Sequence, residues 1–108
     1  MYNCENIFEN KFAKILYYPK IDTIGHIWFP ETTKLLFGKE YQEQIQIFME
    51  FCNKHTPSQL LFDLKNGEFI IDIESQEWLQ EVVYPIQKTK GVKRKAYIIK
   101  QEKLDVLS

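Results

Sequence analysis

The most constraining feature of this chain is one helical period set between β-forming runs. From Lys39 to Lys54 (KEYQEQIQIFMEFCNK) apolar side chains fall at Tyr41, Ile45, Phe48, Met49 and Cys52, the i, i+4, i+7, i+8, i+11 spacing of one helix face. Ile47 and Phe51 widen that stripe, so the helix is expected to be buried on more than one side or to lend a flank to a partner. Such a helix must cover something, and its neighbours say what. Ile15, Leu16, Tyr17 and Tyr18 are β-formers stopped by Pro19, and Thr23 to Phe29 is a second run carrying Ile24, Ile27 and Trp28. With Pro19 to Asp22 as the turn, the two runs read as an antiparallel hairpin. After the helix and a loop with Pro57, Gln59 to Leu64 is nearly all apolar and too short for an independent helix, which predicts a short buried strand.

The remaining punctuation extends this pattern. Pro30 ends the second strand, Thr32 and Thr33 suit a short capped turn, and Gly38 precedes the helix. Asn66-Gly67 is a turn signal, and Glu68 to Ile73 suits a short extended piece. Asp72 or Ser75 can cap the next helix, whose first turn carries Glu74 and Glu77 at the positive end of its dipole. Trp78, Leu79, Val82 and Ile86 are predicted to share its buried face, and Pro85 to kink or restart it near Tyr84. Gly91 ends the helical region, with Lys88 and Lys90 near its negative end. Ala96 to Ile99 is a last strand, and Gln101 to Ser108 a tail or the start of a helix.

The predicted fold class is therefore α/β (α+β), one domain over residues 1–108. It has a small mixed four-stranded sheet in the order β-β-α-β-α-β, closed by a C-terminal helix if residues 101–108 form one, and a polar N-terminal tail over residues 1–12. Strands reached through helices can run parallel by crossovers, which assigns that role to the last three.

Composition bounds the function classes. At 108 residues with 44% apolar and 15% aromatic content, a packed core is expected rather than disorder. A formal net charge of -1 gives no global pull toward nucleic acid or anionic membrane. Cys4 and Cys52 are unclustered, which fits a reducing compartment. The N-terminus lacks a signal-peptide core, and no run approaches the ~20 apolar residues of a membrane span, so a cytoplasmic location is expected.

Three features then coincide: a strand ending in Asp63 (LLFDL), an acid-led helix carrying a Trp (ESQEWLQEVVYP), and a basic bend into the last strand (KGVKRKAYII). With the topology, they make the chain resemble the STAS-like proteins of the Bacteroidetes type, which are similar to the anti-sigma-factor antagonist fold. The resemblance covers roughly Lys14 to Lys100. It implies a non-catalytic interaction module with no cofactor. Some STAS domains are switched by phosphorylation at the start of the second helix, in an Asp-Ser-(Ser/Thr)-Gly context. This chain departs there, with Asp72-Ile73-Glu74-Ser75 and no such Gly. Ser75 is the nearest candidate, and a phosphate beside Glu74 and Glu77 would meet like-charge repulsion, partly offset by the helix N-terminus. The fold usually closes with a full helix, for which only Gln101 to Ser108 remains.

Each group with chemical potential has a plainer role beside it. Asp63 and Asp72 could be paired carboxylates for acid–base work, or a strand stop and a helix cap. Cys52 and His55, three apart, could place a thiol near an imidazole, but Cys52 falls on the apolar stripe. His26 and Cys4 add no recognisable metal spacing, so no metal site is expected. Lys88, Lys90, Lys93, Arg94 and Lys95 are the densest charge cluster, suited to an anion contact or to a solvated helix end. Trp78 reads as core, and Tyr84 falls off that face as an exposed aromatic.

The function expected is thus a cytoplasmic, non-catalytic regulatory module acting through contact with a protein partner or a second copy. A regulatory loop comprising Asp63, Asn66, Asp72, Ser75, Trp78 and Tyr84 is expected to carry the contact. The alternative is a binding module for a small apolar or lipid-like ligand, its aromatics lining a pocket. Neither nucleic-acid binding nor membrane insertion is expected.

Overall fold

The computed structural model describes residues 3–30, 39–66 and 73–99. Five strands form one mixed sheet: β1 (Glu5–Glu9), β2 (Ala13–Tyr18), β3 (Thr23–Trp28), β4 (Gln59–Asp63) and β5 (Arg94–Ile98), in the spatial order β1-β2-β3-β4-β5. The first two pairings are antiparallel and the last two parallel. The β3–β4 crossover contains helix α1 (Lys39–His55), and the β4–β5 crossover contains a helical run of three parts. These are α2 (Ile73–Trp78), a π-helical segment (Leu79–Val83) and α3 (Tyr84–Thr89).

The sheet corrects the four-stranded expectation, because the segment read as a polar tail contains β1. Glu5–Glu9 offers only Ile7 and Phe8 as apolar residues, too weak a pattern to read as a strand. It is held from outside. Asn10 Oδ1 accepts the N–H groups of Phe12 and Ala13 at 2.9 and 3.0 Å, closing the β1–β2 turn. Asn10 Nδ2 donates to Gln44 Oε1 of α1 at 2.9 Å. Phe8 meets Phe51 with ring centroids 5.5 Å apart. The width of the α1 stripe is thereby explained: Tyr41, Ile45, Phe48 and Cys52 are buried, and the flank of Ile47 and Phe51 packs on the cluster that Ile7 and Phe8 join.

Parallel register is set at the strand starts. Asp22 adopts a left-handed φ of 50°, a conformation Asp tolerates better than most residues. Its carbonyl accepts the N–H groups of Ser58 and Gln59 at 3.1 and 3.2 Å, and its carboxylate accepts Ser58 N–H at 3.0 Å. The Ser58 carbonyl in turn accepts Lys93 N–H at 2.7 Å. One chain of bonds thus aligns β3, β4 and β5.

The second helical run differs from expectation in phase. Pro85 has no N–H to give the Glu81 carbonyl, and the helix answers by widening. Tyr84 N–H reaches back five residues to the Leu79 carbonyl, and a regular helix restarts at Tyr84. One extra residue in a turn rotates everything beyond it by about 100°. The buried positions become Ser75, Leu79, Val83 and Gln87, while Val82 and Ile86, expected inside, are exposed.

The core lies between the sheet and the helices in two clusters. One joins Ala13, Trp28, Tyr41, Ile45, Leu79 and Val83, and the other Ile15, Ile24, Phe48, Cys52 and Leu60. Fully burying such side chains contributes about 1.5–3 kcal/mol each. The expectations placed on Thr32, Thr33, Gly38, Gly67, residues 68–72 (Asp72 among them) and residues 101–108 lie outside the described residues.

Candidate functional site

The expected regulatory loop and basic bend separate into a closed place and an open one. At the end of β4, Asp63 is largely shielded, with a side chain 13% exposed. Its carboxylate accepts Lys65 N–H at 3.2 Å and lies 3.8 Å from the Lys65 ammonium. Asn66 follows in an exposed turn. Asp63 therefore closes a loop with its own neighbours. Ser75 is the third residue of α2 and fully buried, its hydroxyl oxygen accepting from Gln42 Nε2 at 3.4 Å. A kinase could reach it only after local opening. Trp78 is half-buried and packs on the cluster around Trp28 and Tyr41.

The thiol and imidazoles lie among packed side chains. Cys52 is buried, and burial pushes its thiol up to about 12, with Lys95 acting against it. A thiol held protonated is no nucleophile. The His55 ring lies 4.4 Å from that of Tyr17. His26, a residue to which the sequence pattern assigned no role, is 1% exposed; it stacks on Phe48 at 4.5 Å and tilts against Trp28 at 4.3 Å. Its Nδ1 has no hydrogen-bond partner, and burial lowers its pKa to about 3. No group of three or more metal-ligating side chains converges among the described residues.

The open place is the flank between α3 and β5. Tyr84 and Lys88, one turn apart on α3, face the bend Gly91–Lys93 and the strand residue Lys95 across a groove of about 620 Å³. Gly91 turns the chain there with φ 99°, a conformation that favours glycine. Lys95 reaches over the Tyr84 ring, its ammonium 3.7 Å from the centroid. Burial lowers the Lys95 pKa. Beside it Tyr97 stacks on Phe62 at 5.1 Å yet is 53% exposed, and burial followed by the nearby Tyr84 raises its phenol pKa. The groove thus gathers Lys88, Lys93 and Lys95 from the basic run, while Arg94 lies at the start of β5 and Lys90 beside the α1 contact. Among the described residues, the ion pair formed is Lys65–Asp63, so none of these five cations has a carboxylate partner there.

The charge cluster itself was legible in sequence. Its convergence with Tyr84 and Tyr97 was not, because it depends on how the helical run lies across β5. By contrast, the space enclosed between α1 and α3, beside Cys52 and Gln87, is only about 10 Å³. No helix among the described residues is long and apolar enough to cross a membrane. Comparison with protein-family models, with curated proteins and with solved structures yields no match.

Proposed function

We propose that the chain is a non-catalytic, cytoplasmic STAS-like interaction module that regulates by protein contact, and that its contact surface is the α3–β5 flank. One observation carries this reading. The large apolar side chains exposed among the described residues are Ile73, Val82, Tyr84, Ile86, Tyr97 and Ile98, and all belong to the second helical run or to β5. Apolar and aromatic exposure concentrated on two elements and edged by charge is the composition of a binding surface. The wide α1 stripe, by contrast, is covered within the molecule by Ile7 and Phe8. A small apolar ligand finds less support, since the groove is lined by lysines and the space between α1 and α3 beside Cys52 and Gln87 is minute.

The test compares proteins retained from cell extract by the wild-type chain and by a Tyr84→Ala/Tyr97→Ala double variant, both held well below their melting temperatures. Sedimentation of both covers self-association. A specific partner, or a dimer, retained by the wild type and lost by the variant is expected. The same retained set and the same sedimentation for both would sink the proposal.

A further inference from the structure

Within the α3–β5 flank, the backbone of β5 and the groove beside it address one kind of partner. β5 is the last strand of the sheet among the described residues. Arg94 N–H donates to the Ser58 carbonyl, and the Ile98 carbonyl accepts Leu64 N–H, so the backbone groups of Arg94 and Ile98 point inward, toward the β4 side. In a parallel ladder successive residues alternate, which turns the N–H and C=O groups of Lys95 and Tyr97 outward, away from β4. The side chains of the same two residues lie on the helix-covered face, opposite Leu60 and Phe62. There Lys95 lines the groove with Tyr84, Lys88 and Lys93. Arg94, Ala96 and Ile98 line the other face of the strand.

Charge selects among occupants of such an edge. Residues 88–99 hold five cations and no acid, within a chain whose formal net charge is only -1. A second copy offering its own β5 would set lysine against lysine. A nucleic-acid strand would supply phosphates but no peptide groups for the outward N–H and C=O positions.

Building on the proposed contact surface, we infer that the partner presents an acidic extended segment that adds to β5 as a sixth strand. Its carboxylates enter the groove of Lys88, Lys93 and Lys95, and its alternate side chains lie apolar against Ala96 and Ile98. Main-chain bonds would supply affinity and the lysines would set the partner's sequence, as in other edge additions.

The experiment uses the full chain and a probe peptide of alternating Glu and Val, about eight residues long, the size of an ordinary strand. Binding is followed by amide chemical shifts and hydrogen exchange. The expected result is saturable binding with slowed exchange at Lys95 and Tyr97, weakened about tenfold or more by Lys88→Glu/Lys93→Glu. Both lysines are exposed, and an unchanged melting temperature confirms the fold of the variant. A Glu-Pro peptide of equal charge, which cannot complete a ladder, is expected to bind at least about tenfold more weakly. Equal binding of the two peptides would overturn strand addition. No binding of the Glu-Val peptide, or binding only to phosphatidylserine vesicles or to single-stranded DNA, would overturn the acidic segment as occupant. The contact surface itself is judged separately by the Tyr84→Ala/Tyr97→Ala comparison, so the two can fail independently.

Discussion

β3 and β5 are both strands of one sheet with aromatics beside them, and they use those aromatics in opposite ways. Around β3 the rings face one another: His26 lies on Phe48, and Trp28 stacks with Tyr41 at 6.2 Å. Helix α1 closes over them, and what remains exposed of Trp28 is 2%. Around β5, Tyr97 stacks on Phe62 with one side only, and Tyr84 carries an ammonium on its ring. The difference lies in cover. A central strand has neighbours on both edges and a helix above, so its aromatics become core. Among the described residues β5 has one neighbour, and its aromatics become surface.

That contrast can be broken most severely at β3. Trp28→Ala should cost about 3–5 kcal/mol of stability, read from urea unfolding, because it empties a site that the surrounding rings cannot refill. A loss below about 1 kcal/mol would show that this half of the sheet is less tightly packed than its burial implies.

The next largest effect belongs to His26. Its pKa is about 3 when folded against 6.5 when unfolded. Above pH 6.5 the imidazole is neutral in both states and contributes no pH dependence. Below pH 6.5 the unfolded chain takes up a proton that the folded chain refuses. Stability then falls by about 1.4 kcal/mol per pH unit until the pH reaches the folded value. Between pH 6.5 and 4.5 the His26 share is a loss of roughly 2–3 kcal/mol. Urea midpoints across that range should therefore decline more steeply for the wild type than for His26→Phe. Parallel declines would mean that the ring is hydrated.

Phe8→Ala probes the outer edge. It removes a half-buried ring from Phe51 and should cost about 1–2 kcal/mol, less than a full core deletion. Cross-strand exchange protection at β2 should fall with it. If stability is unchanged, the flank of α1 is not covered by β1 and again becomes a candidate contact surface.

The smallest stability effect is expected at the opposite edge. Lys93→Glu should shift stability by no more than about 0.5 kcal/mol, since the side chain is exposed and without a carboxylate partner among the described residues. Tyr97→Ala should cost roughly 1 kcal/mol, the share of its stacking on Phe62. A loss as large as that of Trp28→Ala would make Tyr97 a core residue and remove the contrast between the two strands.

Particular residues mark how far the sequence could be read. Tyr41, Ile45, Phe48 and Cys52 declared the buried face of α1, because a helix period survives translation into structure whatever the partner. Strands β2, β3 and β4 were equally plain, being rich in β-formers and bounded by Pro or polar turns. β1 was hidden, since two apolar residues among Glu and Asn carry no period and gain their strand from pairing with β2 and from the contacts to Phe51 and Gln44. Val82 and Ile86 were misplaced because Pro85 announces a break without saying how the helix absorbs it.

The same division holds for the candidate site. Sequence alone determined that five cations crowd residues 88–99 and that Asp63 ends a strand. Local composition and spacing are sufficient for such statements. Only the tertiary structure decided that Ser75 is sealed beneath Gln42 while Tyr84 and three of the lysines meet across one groove, with Tyr97 near Tyr84. Those outcomes depend on the rotation introduced by one π turn and on which strand ends the sheet, and both are set by packing between distant segments.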